Sequence, residues 1–168
     1  LKLVKIPIPA PGPGELLVRV KAAALNFSDL LMIDGMYQIR PDRPFTPGQE
    51  IAGDVIAVGE GADIKIGARV AGKVLWGAFA EYAIMRADMA IELPCAIEPV
   101  TGVALPVVYT TAMVALVEEA GLKAGDTVLI HAAAGGVGLA AVQIAKAMGA
   151  TVFAVAGGEE KCTLVKDH

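Results

Sequence analysis

Residues Thr127–Lys161 read TVLIHAAAGGVGLAAVQIAKAMGATVFAVAGGEEK, and this stretch decides the fold. Gly125-Asp126 is a turn signal, and the β-branched and aliphatic run Thr127 to Ala132 after it predicts a buried strand. The turn Ala133-Ala134-Gly135-Gly136-Val137-Gly138 follows. Overlaid on G-x-G-x-x-G, Ala133 takes the first glycine position, Gly135 the second and Gly138 the third. The second glycine admits a pyrophosphate close to the backbone, and the third lets the helix pack on the strand. A helix from about Gly136 to Met148, apolar except at Gln143 and Lys146, aims its N-terminal N–H groups at that phosphate. A second strand, Thr151–Ala156, completes the opening half of a dinucleotide-binding unit. The bland alternative is a tight strand-to-helix turn with no ligand; the correct order of flanking elements favours the cofactor.

Folds of this kind that prefer NAD carry an acid at the end of the second strand, where it accepts from the ribose 2′-OH. Here that position is Gly157 or Gly158, so no carboxylate is placed to repel a 2′-phosphate. Lys161 follows and offers a point charge to such a phosphate. Glu159 and Glu160 count against it, although acids in a first helical turn are ordinary solvated groups. The balance favours NADPH.

The chain has 168 residues, 55% of them hydrophobic, enough to bury a sizeable core. Its net charge of −4 and scattered Lys and Arg give no basic stripe, which argues against nucleic acid as the main partner. Cys95 and Cys162 stand alone, without a CxxC pattern, so neither a disulfide framework nor a zinc knuckle is indicated. No apolar run reaches membrane-spanning length and no signal peptide is visible, so a cytoplasmic or organellar location is expected. After Ala156 the parallel sheet has only two strands, and Val165–His168 falls in what should be the second helix. The sequence therefore reads as part of a longer protein.

Residues 1–98 differ in character from 99–168, and the two are expected to be separate domains. Leu1-Lys2-Leu3-Val4 is strand-like. Leu16, Val18, Val20 and Ala22 alternate with Leu17, Arg19 and Lys21, the period of a half-exposed strand. Further short strands are predicted at Ile51–Val58, Arg69–Ala71 and Phe79–Met85, separated by Gly and Pro turns, as in a small β-barrel or sandwich. Asn26–Ile33 is the one helical insertion, with Asn26 or Ser28 as its cap. Gly102–Gly121 is apolar and helical after Pro106.

Taken together, PGPGELLVRVKAAALNFSDLLMIDGMY, PFTPGQEIAGDVIAVG, GAFAEYA, ALPVVYTTAMVAL and AGDTVLIHAAAGGVGLAAVQIAK resemble the medium-chain dehydrogenase/reductases. Within them, the resemblance is to the zinc-independent, zeta-crystallin-like quinone oxidoreductases. It implies an α/β plus β architecture: a GroES-like β-barrel domain over residues 1–98, then the first part of an NADP-binding Rossmann domain over 99–168. Members are roughly twice this length and commonly pair as homodimers through later strands of the nucleotide domain.

Zinc-containing relatives place a cysteine at Asn26, a histidine at Gln49 and a third ligand near Val107. Asparagine, glutamine and valine are poor Zn²⁺ ligands. His131, inside the first strand of the nucleotide unit, and His168, at the chain end, do not rebuild a site. Without a metal Lewis acid, alkoxide stabilisation for simple alcohol oxidation is lost. A quinone or α,β-unsaturated carbonyl accepts hydride at carbon and needs only modest hydrogen bonding to its oxygen.

The resemblance also implies roles. Asn26 would face the nicotinamide and its ribose, or the acceptor oxygen; it serves equally well as a plain helix cap. Tyr37 would line the cleft and bond cofactor or substrate, against a packed turn tyrosine. Thr111 would hold the nicotinamide side, against a threonine bonded within its own helix. Ala134, Gly135, Gly136 and Val137 would meet the pyrophosphate, with Gly157, Gly158 and Lys161 near the ribose phosphate. Asp29 is structural, orienting the Asn26 loop, and Trp76 takes no role. The leading expectation is an NADPH-dependent reductase of a small-molecule quinone or enone, with no metal. Its rivals are a 2-enoyl thioester reductase and a non-catalytic NADPH-binding protein of structural or sensing role.

Overall fold

The computed structural model describes residues 1–168, which divide into two compact units, Leu1–Pro106 and Val107–His168. The first unit is built on strands β1 (Glu15–Ala24), β2 (Glu50–Val58), β3 (Arg69–Lys73), β4 (Tyr82–Arg86) and β5 (Ala90–Glu92). They form one antiparallel sheet in the order β4-β1-β2-β3-β5. Helix α1 (Phe27–Ile33) follows β1, and a single helical turn, α2 (Pro99–Gly102), follows β5.

The sheet is covered on both faces. Leu16, Val18, Ile51, Val55, Val70 and Met85 fill one cluster; Ala52, Ala71, Leu93 and Val103 fill a smaller one. Burying each of the large aliphatic side chains contributes about 1.5–3 kcal/mol. The expected alternation along β1 fails at Leu17, which is only 6% exposed. An irregularity in the β1–β2 register between Leu17 and Val18 turns consecutive residues inward there.

Other expectations are corrected at the edges of the sheet. Leu1–Val4 is not a strand: no strand in the chain pairs with it, and its apolar side chains are exposed. The strand expected at Phe79–Met85 begins only at Tyr82, because the Ala78 and Phe79 N–H groups bond back to the Gly48 and Pro47 carbonyls instead of joining a ladder.

The second unit opens with α3 (Val108–Met113), which continues as a π-helical turn over Val114–Glu119. Strand β6 (Thr127–Ile130) runs parallel to β7 (Thr151–Ala154), joined by α4 (Gly136–Ala147), and α5 (Glu159–Lys166) closes the chain. Gly138, Ala141, Val142 and Ala145 recur on the buried side of α4 at helical spacing, and Lys146 sits favourably in its last turn. Both strands are shorter than predicted. Ala132 takes a positive φ of 50°, which breaks the ladder after Ile130 and leaves His131 in an exposed turn. The strands are also less buried than predicted: Ile130 is buried, but Leu129 and Phe153, paired in the ladder, are 58% and 59% exposed. Only one face of the two-stranded sheet packs on the cluster that contains α4.

Candidate functional site

In the second unit the turn after β6 and the turn after β7 lie at the same edge, because the strands are parallel neighbours in register. The Ala133 N–H donates to the Val155 carbonyl at 3.0 Å and ties the two turns together. The expected phosphate residues are thereby brought side by side: Gly135, Gly136 and Val137 after β6, Gly157 and Gly158 after β7, all solvent-exposed, with Ala134 half-buried beside them.

A side chain on Gly138 would lie 2.4 Å from the Ala132 carbonyl oxygen and 2.7 Å from the Ala133 Cα. That is the close helix-to-strand approach required of the third glycine of a dinucleotide turn. Gly157, by contrast, has nothing within 4 Å of its Cβ direction, and Gly158 adopts a φ of 85° at the entry to α5. The cradle is thus tight beneath and open above, and the three-turn helix α4 starts at its floor with Gly135 as N-cap. These residues fit a pyrophosphate. Lys161 is exposed on α5. Thr111 is exposed on α3, its N–H bonded to the Val107 carbonyl at 3.0 Å. Tyr109, half a turn earlier, donates its hydroxyl to Gln143 Oε1 at 2.6 Å and fastens α3 to α4.

In the first unit the observations centre on Asn26. It is the N-cap of α1, and its backbone N–H donates to Asp29 Oδ2 at 2.7 Å, as expected of an Asp29 that orients this loop. The Asn26 side-chain Nδ2 donates to Glu50 Oε2 at 3.0 Å. Beside this pair the Ser28 hydroxyl donates to Gln49 Oε1, and Gln49 Nε2 makes a long contact of 3.5 Å to the Leu75 carbonyl. Asp29, Gln49 and Glu50 are all buried. Burial pushes the Asp29 carboxyl up from its ordinary value, opposed by the N–H groups of Asn26 and Gly48. Asp29 Oδ1 lacks a well-formed hydrogen bond of its own. No three His, Cys, Asp or Glu side chains are grouped so as to hold a metal ion.

Tyr37 is half-buried in the loop after α1, where its carbonyl accepts from Arg40 Nε at 3.4 Å. An open groove of about 630 Å³ lies in the same unit, walled by Arg40, Phe45, Trp76 and Tyr82; neither Asn26 nor Tyr37 lines it. Two residues passed over in the sequence therefore acquire positions of interest. Trp76 walls the groove. Glu50 holds Asn26; its signal was an acid at the head of the apolar strand β2, where a buried polar group is costly without a partner.

Residues 12–95 match the alcohol dehydrogenase GroES-like domain. The chain belongs to the medium-chain dehydrogenase/reductase superfamily. It is 42% identical over 164 residues to the quinone oxidoreductase of Sus scrofa, covering 96% of this chain and 49% of that protein. The chain thus spans about half the length of the curated relatives it matches of that kind. Among solved structures, the quinone oxidoreductase of Thermus thermophilus, described with its NADPH complex, superposes with a TM-score of 0.87 at 38% identity. That comparison covers 99% of this chain and 52% of the other. The CurK enoyl reductase gives a TM-score of 0.87 at 32% identity, covering 96% and 51%. The resemblance to the quinone oxidoreductases and the expected fold class both hold. No helix is long and apolar enough to cross a membrane.

Proposed function

We propose that this chain is the N-terminal part of an NADPH-dependent reductase that transfers hydride to a quinone or α,β-unsaturated carbonyl without a catalytic metal. The observation that carries the reading is the glycine turn of the second unit, tight at Gly138 and close at Gly135, with open space at Gly157 across from it. In this reading residues 1–98 serve the substrate and 99–168 begin the nucleotide domain. Ala134, Gly135, Gly136 and Val137 hold the pyrophosphate through backbone N–H groups, and Lys161 attracts a 2′-phosphate that no acid at Gly157 or Gly158 repels. Asn26, Tyr37 and Thr111 contact the nicotinamide end. NADPH, when bound, supplies the hydride. The acceptor takes it at carbon and a proton from water at oxygen; a quinone adduct then enolises, moving the ring proton to its second oxygen, so quinone, NADPH and a proton yield hydroquinone and NADP⁺.

The donor set at Asn26 and Gln49 supports chemistry without zinc. Both are amides, poor ligands for Zn²⁺, and both are engaged with neighbouring side chains, Glu50 and Ser28 respectively. Positioning rather than Lewis acidity then lowers the barrier. A cytoplasmic homodimer accompanies this reading.

Similarity to an enoyl reductase structure supports a second reading, reduction of a 2-enoyl thioester. NADPH consumption by the full-length protein with a simple benzoquinone, set against that with a short 2-enoyl-CoA, separates the two. Faster turnover with the quinone is the expected result. Preference for the thioester selects the second reading, and cofactor binding without turnover of either contradicts both.

A further inference from the structure

We propose that helix α3 braces the glycine turn of the second unit, with Val108 and Tyr109 as positioning residues for the α4 N–H groups that receive the pyrophosphate. This rests on the cofactor reading above and deepens it; both helices belong to the Val107–His168 unit. The glycines of the turn are crowded by different neighbours. A Cβ on Gly135 or Gly138 would meet the Ala132 carbonyl oxygen of the same turn, at 3.3 and 2.4 Å respectively. A Cβ on Gly136 would instead meet Val108 Cγ1, on α3, at 3.1 Å. Gly136 lies at an unspecified position of the G-x-G-x-x-G spacing, and its φ is not positive. Neither the motif nor the backbone therefore asks for glycine there. The side chain of Val108 does.

Val108 is held against the turn by the rest of α3. Val108 and Ala112, one helical turn apart, both pack into the cluster that contains Ala140 and Ala141 of α4. The next residue, Tyr109, donates its hydroxyl to Gln143 Oε1 at 2.6 Å, about two turns beyond Gly136 along α4. Two contacts so far apart fix the angle of α3 on α4, as one contact cannot. The first turn of α4 needs that support. It opens Gly136-Val137-Gly138, glycine is a poor helix former, and no side chain caps the end. The turn closes through the Leu139 N–H, which donates to the Gly135 carbonyl at 2.8 Å. A frayed turn scatters the N–H groups that a phosphate needs converged, and affinity then falls with the fraction of molecules in which the turn is formed.

The test exchanges volume between the two helices in the full-length protein, reading NADPH affinity by fluorescence and folding by melting temperature. Gly136→Ala is expected to weaken NADPH binding about fivefold, because the added methyl presses on Val108 and displaces the turn. Val108→Ala alone is expected to weaken it about threefold by removing the brace. The double variant Val108→Ala/Gly136→Ala recovers wild-type affinity to within about twofold, since the methyl on one helix takes up space vacated on the other. Losses that add in the double variant overturn the proposal. So does a Gly136→Ala protein that binds as tightly as wild type, the result that alanine's better helix propensity alone would give. Tyr109→Phe supplies a second measurement, free of any ligand. Hydrogen exchange of the Leu139 amide should quicken about threefold relative to that of the Met148 amide, whose N–H bonds the Ile144 carbonyl at the far end of α4. Equal quickening of both amides, as a purely structural bond would give, overturns the proposal. A wild type that binds neither NADPH nor NADH overturns the cofactor reading and with it the role of the brace. Binding with unrescued losses overturns the brace alone.

Discussion

The Ala132 carbonyl oxygen and Gly138 face each other across the turn between β6 and α4 so closely that a Cβ on Gly138 would lie 2.4 Å from that oxygen. The obstacle is backbone on both sides, so no flexible side chain can yield. Gly138→Ala is expected to destabilise the second unit by about 1–3 kcal/mol through overpacking. It should also abolish cofactor binding, since the start of α4 is pushed off its strand. Gly157→Ala is the control: its Cβ meets nothing within 4 Å, and stability should change by no more than about 0.5 kcal/mol. Thermal melting of the two variants checks the contrast.

Tyr109 and Gln143 join α3 to α4 through a hydroxyl-to-amide bond of 2.6 Å. Tyr109→Phe keeps the ring in the cluster and removes only that bond. The expected loss is about 0.5–1.5 kcal/mol, read from denaturant midpoints at unchanged slope.

Asp29 gives the first unit a defined pH response. Burial raises its carboxyl above the ordinary value of 3.8, so the folded state holds the proton more tightly than the unfolded chain does. The contribution of this residue is therefore most favourable below the ordinary value and declines as pH rises through the raised one. Asp29→Asn keeps an oxygen for the Asn26 N–H and removes the ionisation. The stability of the variant relative to wild type should rise with pH from about 4 upward; a fall over that range contradicts the assignment.

These sites were unequally legible in the sequence. The strand, glycine turn, helix and second strand of the nucleotide unit could be read because each has a local signal: β-branched runs, Gly135 and Gly138, and an apolar helix over Gly136–Ala147. What failed was non-local. Whether Leu1–Val4 forms a strand depends on a partner elsewhere in the chain, and none pairs with it. Whether β6 is buried depends on what covers its second face, where Leu129 and Phe153 remain exposed. Leu17 turned inward because of a register irregularity opposite β2, which alternation within β1 cannot reveal. Asn26 lies in the family motif, yet the carboxylate that grips it comes from Glu50 on the strand paired with β1. An acid at the head of an apolar strand signals a partner without naming it.

Lys161 offers a test of the nucleotide preference. Lys161→Ala is expected to weaken NADPH binding by about tenfold while leaving NADH within about twofold, since only the former carries a 2′-phosphate for the ammonium group. The gap should narrow at high salt, because Lys161 is exposed. An equal loss for both nucleotides would place Lys161 away from the ribose phosphate.

A metal-independent NADPH site used for reduction is tested most directly by one experiment. NADPH and then NADH are titrated into the full-length protein by fluorescence, and a simple quinone is added with and without a strong chelator. Saturable binding that favours NADPH, followed by cofactor oxidation at the same rate with chelator present, is the predicted result. Oxidation that stops with the chelator and returns with Zn²⁺ would contradict it.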